Sequence, residues 1–208
     1  MNMEKWKLLK ADKKRRITKM KNLTKHFTQI TKSKASHRPI LKGISYNHTK
    51  DQLEATDSHR LLTINANYNL NDSFVFNPLT LERIEGNYPD TERLLPEVQD
   101  NLFRAGEVDT NMLKIIAAYK KENLSLELSD GSLSISNEKD NIIATIPVTV
   151  NHNHEYEKTY INASYLYDAL SFIADYGKEY PDARINLTMV TRVRPINFSN
   201  FEFNYIVT

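Results

Sequence analysis

Glu54-Ala55-Thr56-Asp57-Ser58-His59-Arg60-Leu61 joins two short alternating runs, Gln52 to Thr56 and Leu61 to Asn65, through a polar turn. Alternation on both sides of a turn is the pattern of short strands in an antiparallel sheet. Working outward, Ile40 to Tyr46 and Ser73 to Phe76 are further strand candidates, with Asn47 to Asp51 as the intervening polar turn. Pro78 to Ile84 has room for one or two helical turns. Upstream, Asn22 is a good helix N-cap, and Leu23, Phe27 and Ile30 fall within about 60° of one another on a helical wheel. Lys21, Lys25 and Lys32 fall on the opposite side, so the spacing predicts a helix over Asn22–Thr31 that is apolar on one face and cationic on the other. Pro39 ends this segment by restricting Arg38 to extended geometry.

The same order recurs downstream. Phe103 to Val108 reads as a strand, and Asp109 caps a helix from Thr110 to about Lys121 with Met112, Leu113, Ile116 and Tyr119 as its buried stripe. Leu124, Leu126 and Leu128 alternate, Asp130-Gly131 turns the chain, and Leu133 and Ile135 alternate back, a strong hairpin signal. Ile142 to Val150 is another strand. Lys158 to Asn162 and Ala163 to Asp175 repeat strand and helix, with Leu166, Ala169, Leu170 and Ile173 inward. Ala183 to Met189, Pro195 to Ser199 and Glu202 to Val207 close the chain as strands, with Phe201, Phe203, Tyr205 and Val207 on alternate positions. Strand, helix and several strands therefore recur from near residues 17, 103 and 158, which is α+β with antiparallel sheets rather than a doubly wound fold. Gly86-Asn87-Tyr88-Pro89-Asp90 is the turn-rich connector that divides residues 1–85 from 86–208.

Composition narrows the function. Of 28 basic residues 14 lie before Gly43, against only Glu4 and Asp12, while the remaining 166 residues carry a net negative charge. A basic arm and helix on an acidic body point to a polyanion, with nucleic acid the commonest candidate. With no cysteine, disulfide scaffolds, thiolate zinc sites and thiol catalysis are excluded. Apolar runs fall far short of the roughly 20 residues of a membrane span, so no membrane partner is expected. The opening Met1-Asn2-Met3-Glu4-Lys5-Trp6-Lys7 lacks the apolar core of a secretory signal, so a cytoplasmic protein is expected. Asp57, Ser58 and His59 are adjacent and cannot assemble a triad, and no nucleophile elbow is visible. The five glycines are too dispersed for a phosphate-cradling loop. His152 and His154 share a strand face without carboxylate or thiolate companions in a clear pattern, so no metal is expected. An enzyme is the least supported class, and no cofactor is called for.

Four motifs carry a family resemblance. Arg38-Pro39-Ile40-Leu41-Lys42-Gly43 followed by Glu54 to Leu61 resembles the paired patterns RPxLxG and ATDGHRL of the bacterial DNA polymerase III beta subunit, the sliding clamp. Glu85-Gly86-Asn87-Tyr88-Pro89-Asp90-Thr91-Glu92-Arg93-Leu94-Leu95-Pro96 resembles that family's link into its last domain, EGxYPDxxRLxP. Ile161-Asn162-Ala163-Ser164-Tyr165-Leu166-Tyr167-Asp168-Ala169-Leu170 resembles its last helix, FNxxYLxDAL, and Arg194-Pro195 with Tyr205-Ile206-Val207-Thr208 its closing strands. The motifs stand in family order across most of residues 22–208. There are departures: Ser58 replaces the usual glycine, only Asn77 to Glu85 stands where the family has a helix and several strands, and the family's first domain has no counterpart.

The resemblance implies the DNA-clamp (processivity factor) fold: repeated βαβββ units with antiparallel sheets outside and helices on the inner face. It implies a non-enzymatic replication or repair accessory that holds duplex DNA through lysines and arginines aimed at phosphates. Lys21, Lys25 and Lys32 fit that role; Lys34, His37 and Arg38 fall where the family has a DNA-contacting loop, and Lys114, Lys120 and Lys121 extend it on the second helix. The third helix carries Asp168 and Asp175 and no lysine or arginine within Ala163–Asp175, so an evenly cationic inner face is not expected. The resemblance also implies a pocket for a short client peptide of a polymerase or repair factor, at Leu41, Thr56, Ser58, His59, Arg60, Leu61, Pro89, Arg93, Leu94, Ile206 and Thr208. There, aliphatic walls would take apolar anchors, and His59 and Arg60 at the rim would meet carbonyls or acidic groups. A homo-oligomeric ring, a clamp loader as a further partner and a place at the nucleoid follow from the same likeness; the short length suits a phage or mobile element. The rival reading is a clamp mimic that binds host clamp clients, the clamp or its loader without encircling DNA, and a third is a DNA-binding regulator that has reused the fold.

Overall fold

A computed structural model describes residues 24–33, 38–66, 68–95, 101–129, 131–150, 158–189 and 195–208. Lys21, Asn22, Leu23, Lys34, His37, Asp130, His152, His154 and Arg194 lie outside the described residues. Within them the first helix, α1, spans 24–31. The strands β1 (Ile44–Asn47), β2 (Gln52–Thr56), β3 (Arg60–Asn65), β4 (Phe74–Phe76), β5 (Arg83–Ile84) and β6 (Asn101–Arg104) precede α2 (Thr110–Ala118). Then come β7 (Asn123–Ser129), β8 (Ser132–Ser136), β9 (Ile142–Pro147), β10 (Thr149–Val150), β11 (Thr159–Asn162), α3 (Ala163–Gly177), β12 (Arg184–Thr188), β13 (Ile196–Ser199) and β14 (Phe203–Val207).

Two antiparallel sheets form. The larger has ten strands in the order β10-β6-β12-β13-β14-β3-β2-β1-β4-β5, and the smaller has four in the order β11-β7-β8-β9. The pairing of β14 with β3, in the register Phe203↔Ile64 to Val207↔Arg60, carries the large sheet from the first half of the chain into the second. Alternation sorts this junction by face. Leu62, Ile64, Phe203, Tyr205 and Val207 enter the main core with Phe27 and Ile30 of α1 and Leu166, Phe172 and Ile173 of α3. Phe172 stands edge-on to Phe203 at 4.7 Å between ring centroids, and Tyr176 does the same at 5.2 Å. Leu61 and Ile206, paired in register, are buried on the other face.

The helices start where their caps allow. Asp109 accepts a hydrogen bond from Met112 N at 2.7 Å, and Asn162 accepts one from Ser164 N at 2.9 Å. The leucines and isoleucine of the β7–β8 hairpin are buried as the alternation predicts, as is the stripe of α3.

Five expectations are corrected. Ile142 to Val150 is not one strand: β9 pairs with β8 in the small sheet and β10 with β6 in the large one. Pro78 to Ile84 is not helical: Asn77 Oδ1 accepts from Leu79 N (2.8 Å) and Thr80 N (3.3 Å), Asn77 N donates to Glu82 O (2.9 Å), and the chain reverses as a hairpin between β4 and β5. Ile40 to Tyr46 is not one strand, because Pro39–Lys42 forms a 3-10 turn ahead of β1. Phe103 to Val108 leaves the sheet at Arg104 for the 3-10 turn Ala105–Glu107. Phe201 is 84% exposed, because the chain bends before β14 and the alternation begins only at Phe203.

Gly177 decides how closely α3 approaches that turn. A Cβ there would lie 2.9 Å from Ala105 O and 3.0 Å from Ala105 C. Helix propensity alone favours alanine by about 1 kcal/mol, whereas overpacking costs about 1–3 kcal/mol. Gly177→Ala is expected to be net destabilising in urea unfolding; a higher midpoint would show that the two elements separate freely.

Candidate nucleic-acid interface and peptide groove

α3 occupies the middle of a row of helices. α1 reaches it through His26 Nε2 on Asp175 Oδ2 (2.9 Å) and Gln29 Nε2 on Asp168 Oδ1, and α2 packs against it directly. On α1, Thr24, Lys25, Gln29 and Lys32 are exposed along one stripe. On α2 the exposed residues are Thr110, Asn111, Lys114, Ile115 and Ala118, followed by Lys120 and Lys121. No residue of α3 itself is exposed; Ser164, Tyr167, Ser171 and Ala174 are half-buried. The row is therefore cationic on both flanks and neutral in the middle.

The acidic residues of α3 are turned to structural use. Asp168 is buried and accepts from the guanidinium of Arg60 as well as from Gln29. Arg60 also donates to Asp57 Oδ2 from Nε (3.1 Å) and Nη2 (2.6 Å), and its guanidinium lies 4.9 Å from the Tyr165 ring centroid. Burial would raise the Asp57 carboxyl, but the hydrogen bonds and charge of Arg60 outweigh it and the pKa falls below the usual range. Asp168 goes the other way: burial dominates and raises it, opposed by Arg60, Lys120 and Gln29. Asp175 holds Lys25 (2.5 Å), His26 (2.9 Å) and Lys178 (2.7 Å). Burial works against its ionised form, yet the hydrogen bonds from Lys178, Lys25 and His26 bring its pKa down to about 2. His26 is buried beside Phe172, and burial lowers its pKa against the pull of Asp175.

Of the expected DNA contacts, Lys32, Lys121 and Arg38 are exposed. Lys25 is 60% exposed but tied to Asp175, and the Lys120 ammonium sits 3.4 Å from the Tyr167 ring centroid.

The eleven expected pocket residues divide into a closed floor and an open rim. Leu41, Thr56, Leu61 and Ile206 are buried, and Leu41, Leu61 and Ile206 stand apart from the main core cluster. Arg60 is inside rather than at the rim, because both of its carboxylate partners are buried. Ser58, His59, Arg93, Leu94 and Thr208 are exposed and Pro89 is half-buried. Ser58 has φ +79°, the left-handed region that favours the glycine of the resembling motif. His59 stacks on Tyr165 (5.5 Å, 20°), and its carbonyl accepts from Thr208 N (3.0 Å) and Oγ1 (3.1 Å). Tyr88 fastens the connector: its hydroxyl accepts from Thr56 N at 3.0 Å, and Thr91 Oγ1 donates to Glu54 Oε2 at 3.1 Å. Tyr88, Tyr165 and Gln29 were not singled out from the sequence; Tyr88 and Tyr165 stand inside the quoted motifs, but partners 32, 105 and 139 residues away leave no local periodicity.

A helix row backed by antiparallel sheets that continue across the junction defines the sliding-clamp fold. Solved structures give the comparison. The DNA polymerase sliding clamp from Bacillus subtilis superposes with a TM-score of 0.61 at 17% identity, over 89% of this chain and 61% of that one. The DNA polymerase III beta chain from Streptococcus pneumoniae gives 0.64 at 20% over 92% and 62%, and the DNA polymerase III subunit beta from Pseudomonas aeruginosa 0.66 at 17% over 92% and 64%. The chain thus spans somewhat over three-fifths of the length of these clamps. No protein-family model and no curated protein matches the sequence. No helix among the described residues is long and apolar enough to cross a membrane.

Arg60→Ala leaves two buried carboxylates without their counter-charge, a change that typically costs about 3–5 kcal/mol. Urea unfolding should show a loss of that order; a loss under about 1 kcal/mol would mean that water reaches the site freely. His26 gives a pH dependence. Its folded pKa lies below the unfolded value of 6.5, so as pH falls through 6.5 the unfolded state takes up the proton first and stability declines toward the folded pKa. Between pH 7 and 5, His26→Gln should flatten the stability profile, and an unaltered slope would assign the titration to another group.

Proposed function

We propose that this chain is a sliding-clamp-like, non-enzymatic accessory of DNA replication or repair. It contacts duplex DNA without reading sequence and docks a short linear motif of a polymerase or another client. The observation that carries the reading is the helix row, with Lys32 just past α1 on one flank and Lys114 of α2 and Lys121 beyond its end on the other. Lysines on rigid helices meet phosphates as point charges and exchange easily, which suits a duplex that must slide. Arg38 and Lys120 extend the flanks, and Lys21, Lys34 and His37 belong to the same proposal by sequence. Client docking falls on the opposite face of the large sheet, where Ser58, His59, Pro89, Arg93, Leu94 and Thr208 form a rim over buried Leu41, Thr56, Leu61 and Ile206. Residues 1–85 and 86–208 are taken as two clamp units, and several copies are taken to assemble around DNA, with a clamp loader as a further partner in a cytoplasmic, nucleoid-associated setting.

The two faces are separable by mutation. Lys32→Glu with Lys121→Glu is expected to weaken duplex binding and to reduce the salt slope by about 1 per lost contact. Leu94→Asp with Arg93→Ala should weaken a clamp-motif peptide and leave duplex binding intact. Light scattering should give more than one chain per particle. A monomer that binds the peptide but no duplex would replace this reading by the clamp mimic.

A further inference from the structure

Asp175 stands at the edge of the half-buried middle of the row and accepts Lys25 of α1 at 2.5 Å, Lys178 of its own helix at 2.7 Å and the His26 ring at 2.9 Å. The three contacts are unequal in consequence. His26 is buried and Lys178 lies at the helix end, whereas Lys25 projects from the same exposed stripe as Lys32. Lys32 has no ion-pair partner among the described residues. Two lysines of one face therefore differ among the described residues: Lys25 rests on a carboxylate and Lys32 does not. The Asp175 side chain is 12% exposed and that of Lys25 60%, so the carboxylate is fixed while the ammonium remains in reach of solvent and of a ligand.

We propose that Asp175 is an internal competitor for DNA: it occupies Lys25 in the free protein, and a backbone phosphate must displace it. This rests on the duplex-binding reading above and adds a regulatory residue to it. The carboxylate plays the part of a phosphate held within the chain. Its ionised form is stabilised by three donors at once, so it stays charged throughout the range in which DNA binds. The consequence is a helix row that holds the duplex more weakly than its lysine count implies, and one in which Lys25 alternates between two anions at little cost. Asp175 is a positioning residue here, since it acts through Lys25 and does not touch DNA.

The test is a double-mutant cycle read by fluorescence anisotropy on a short duplex at low salt. Asp175→Asn is isosteric and retains an oxygen to accept from His26. It is expected to tighten binding about two- to five-fold, the range that an ion pair of up to about 1 kcal/mol represents. In a Lys25→Met background the same substitution should give no gain. An equal gain in both backgrounds would reduce Asp175 to a diffuse negative charge and overturn the proposal, as would no gain in either. Absence of duplex binding in every variant would remove the DNA reading itself. A second measurement uses the unmodified protein without DNA: an amine-reactive reagent should label Lys25 more slowly than Lys32, and Asp175→Asn should bring the two rates together. Equal rates in the unmodified protein would overturn the proposal independently of any DNA measurement.

Discussion

Arg60 sets one positive charge between two buried carboxylates, Asp57 of its own turn and Asp168 of α3, which lies 108 residues later. Few buried ions are tolerated without partners, because the desolvation of each costs several kcal/mol. Every group in this set is therefore held by the others. Asp57 Oδ1 also accepts from His59 N and Arg60 N and so shapes the turn at the start of β3. Asp168 fixes α3 over the large sheet and, through Gln29, fixes α1 beside α3. Through Arg60 and Gln29 this set ties the start of β3, α1 and α3 together, beside the apolar core that these elements share.

The junction then separates two surfaces by simple alternation. On β3, Leu62 and Ile64 face the helices while Leu61 and Thr63 face away, and β14 repeats the rule with Tyr205 and Ile206. A single pair of strands thus backs the helix row on one side and the proposed client surface on the other. Tyr88 and Thr91 pin the connector to β2 at Thr56 and Glu54, which gives the groove its fixed edge. The proposed DNA and client surfaces are consequently separated by the thickness of one sheet.

Much of the fold was legible. Alternation in Leu124–Ile135, the capping residue Asp109 and the apolar stripe of α3 are local signals, and local geometry obeys them. The failures were also local in origin. Asn77 closes a hairpin with its side chain, which a helical pattern over Pro78–Ile84 does not register, and Pro39 permits a 3-10 turn where alternation alone reads as strand. For the candidate site, sequence put both His59 and Arg60 at the rim; His59 is exposed, whereas Arg60 is buried. Arg60 is withdrawn because its partner Asp168 lies too far along the chain for any spacing rule to connect them.

By itself the sequence determined that this protein is α+β, that its strands are antiparallel and that its net positive charge lies in the first 42 residues, since these follow from periodicity and composition. It also marked Asp168 and Asp175 as an anomaly on a helix expected to face DNA. Only the tertiary structure decided what the two acids do. They are partners of Arg60, Gln29, Lys25, His26 and Lys178, brought within reach by the packing of α1 and β3 against α3. Charge pairing depends on distance in space, is largely screened beyond about 10 Å when groups are solvated, and leaves no repeat in the order of residues.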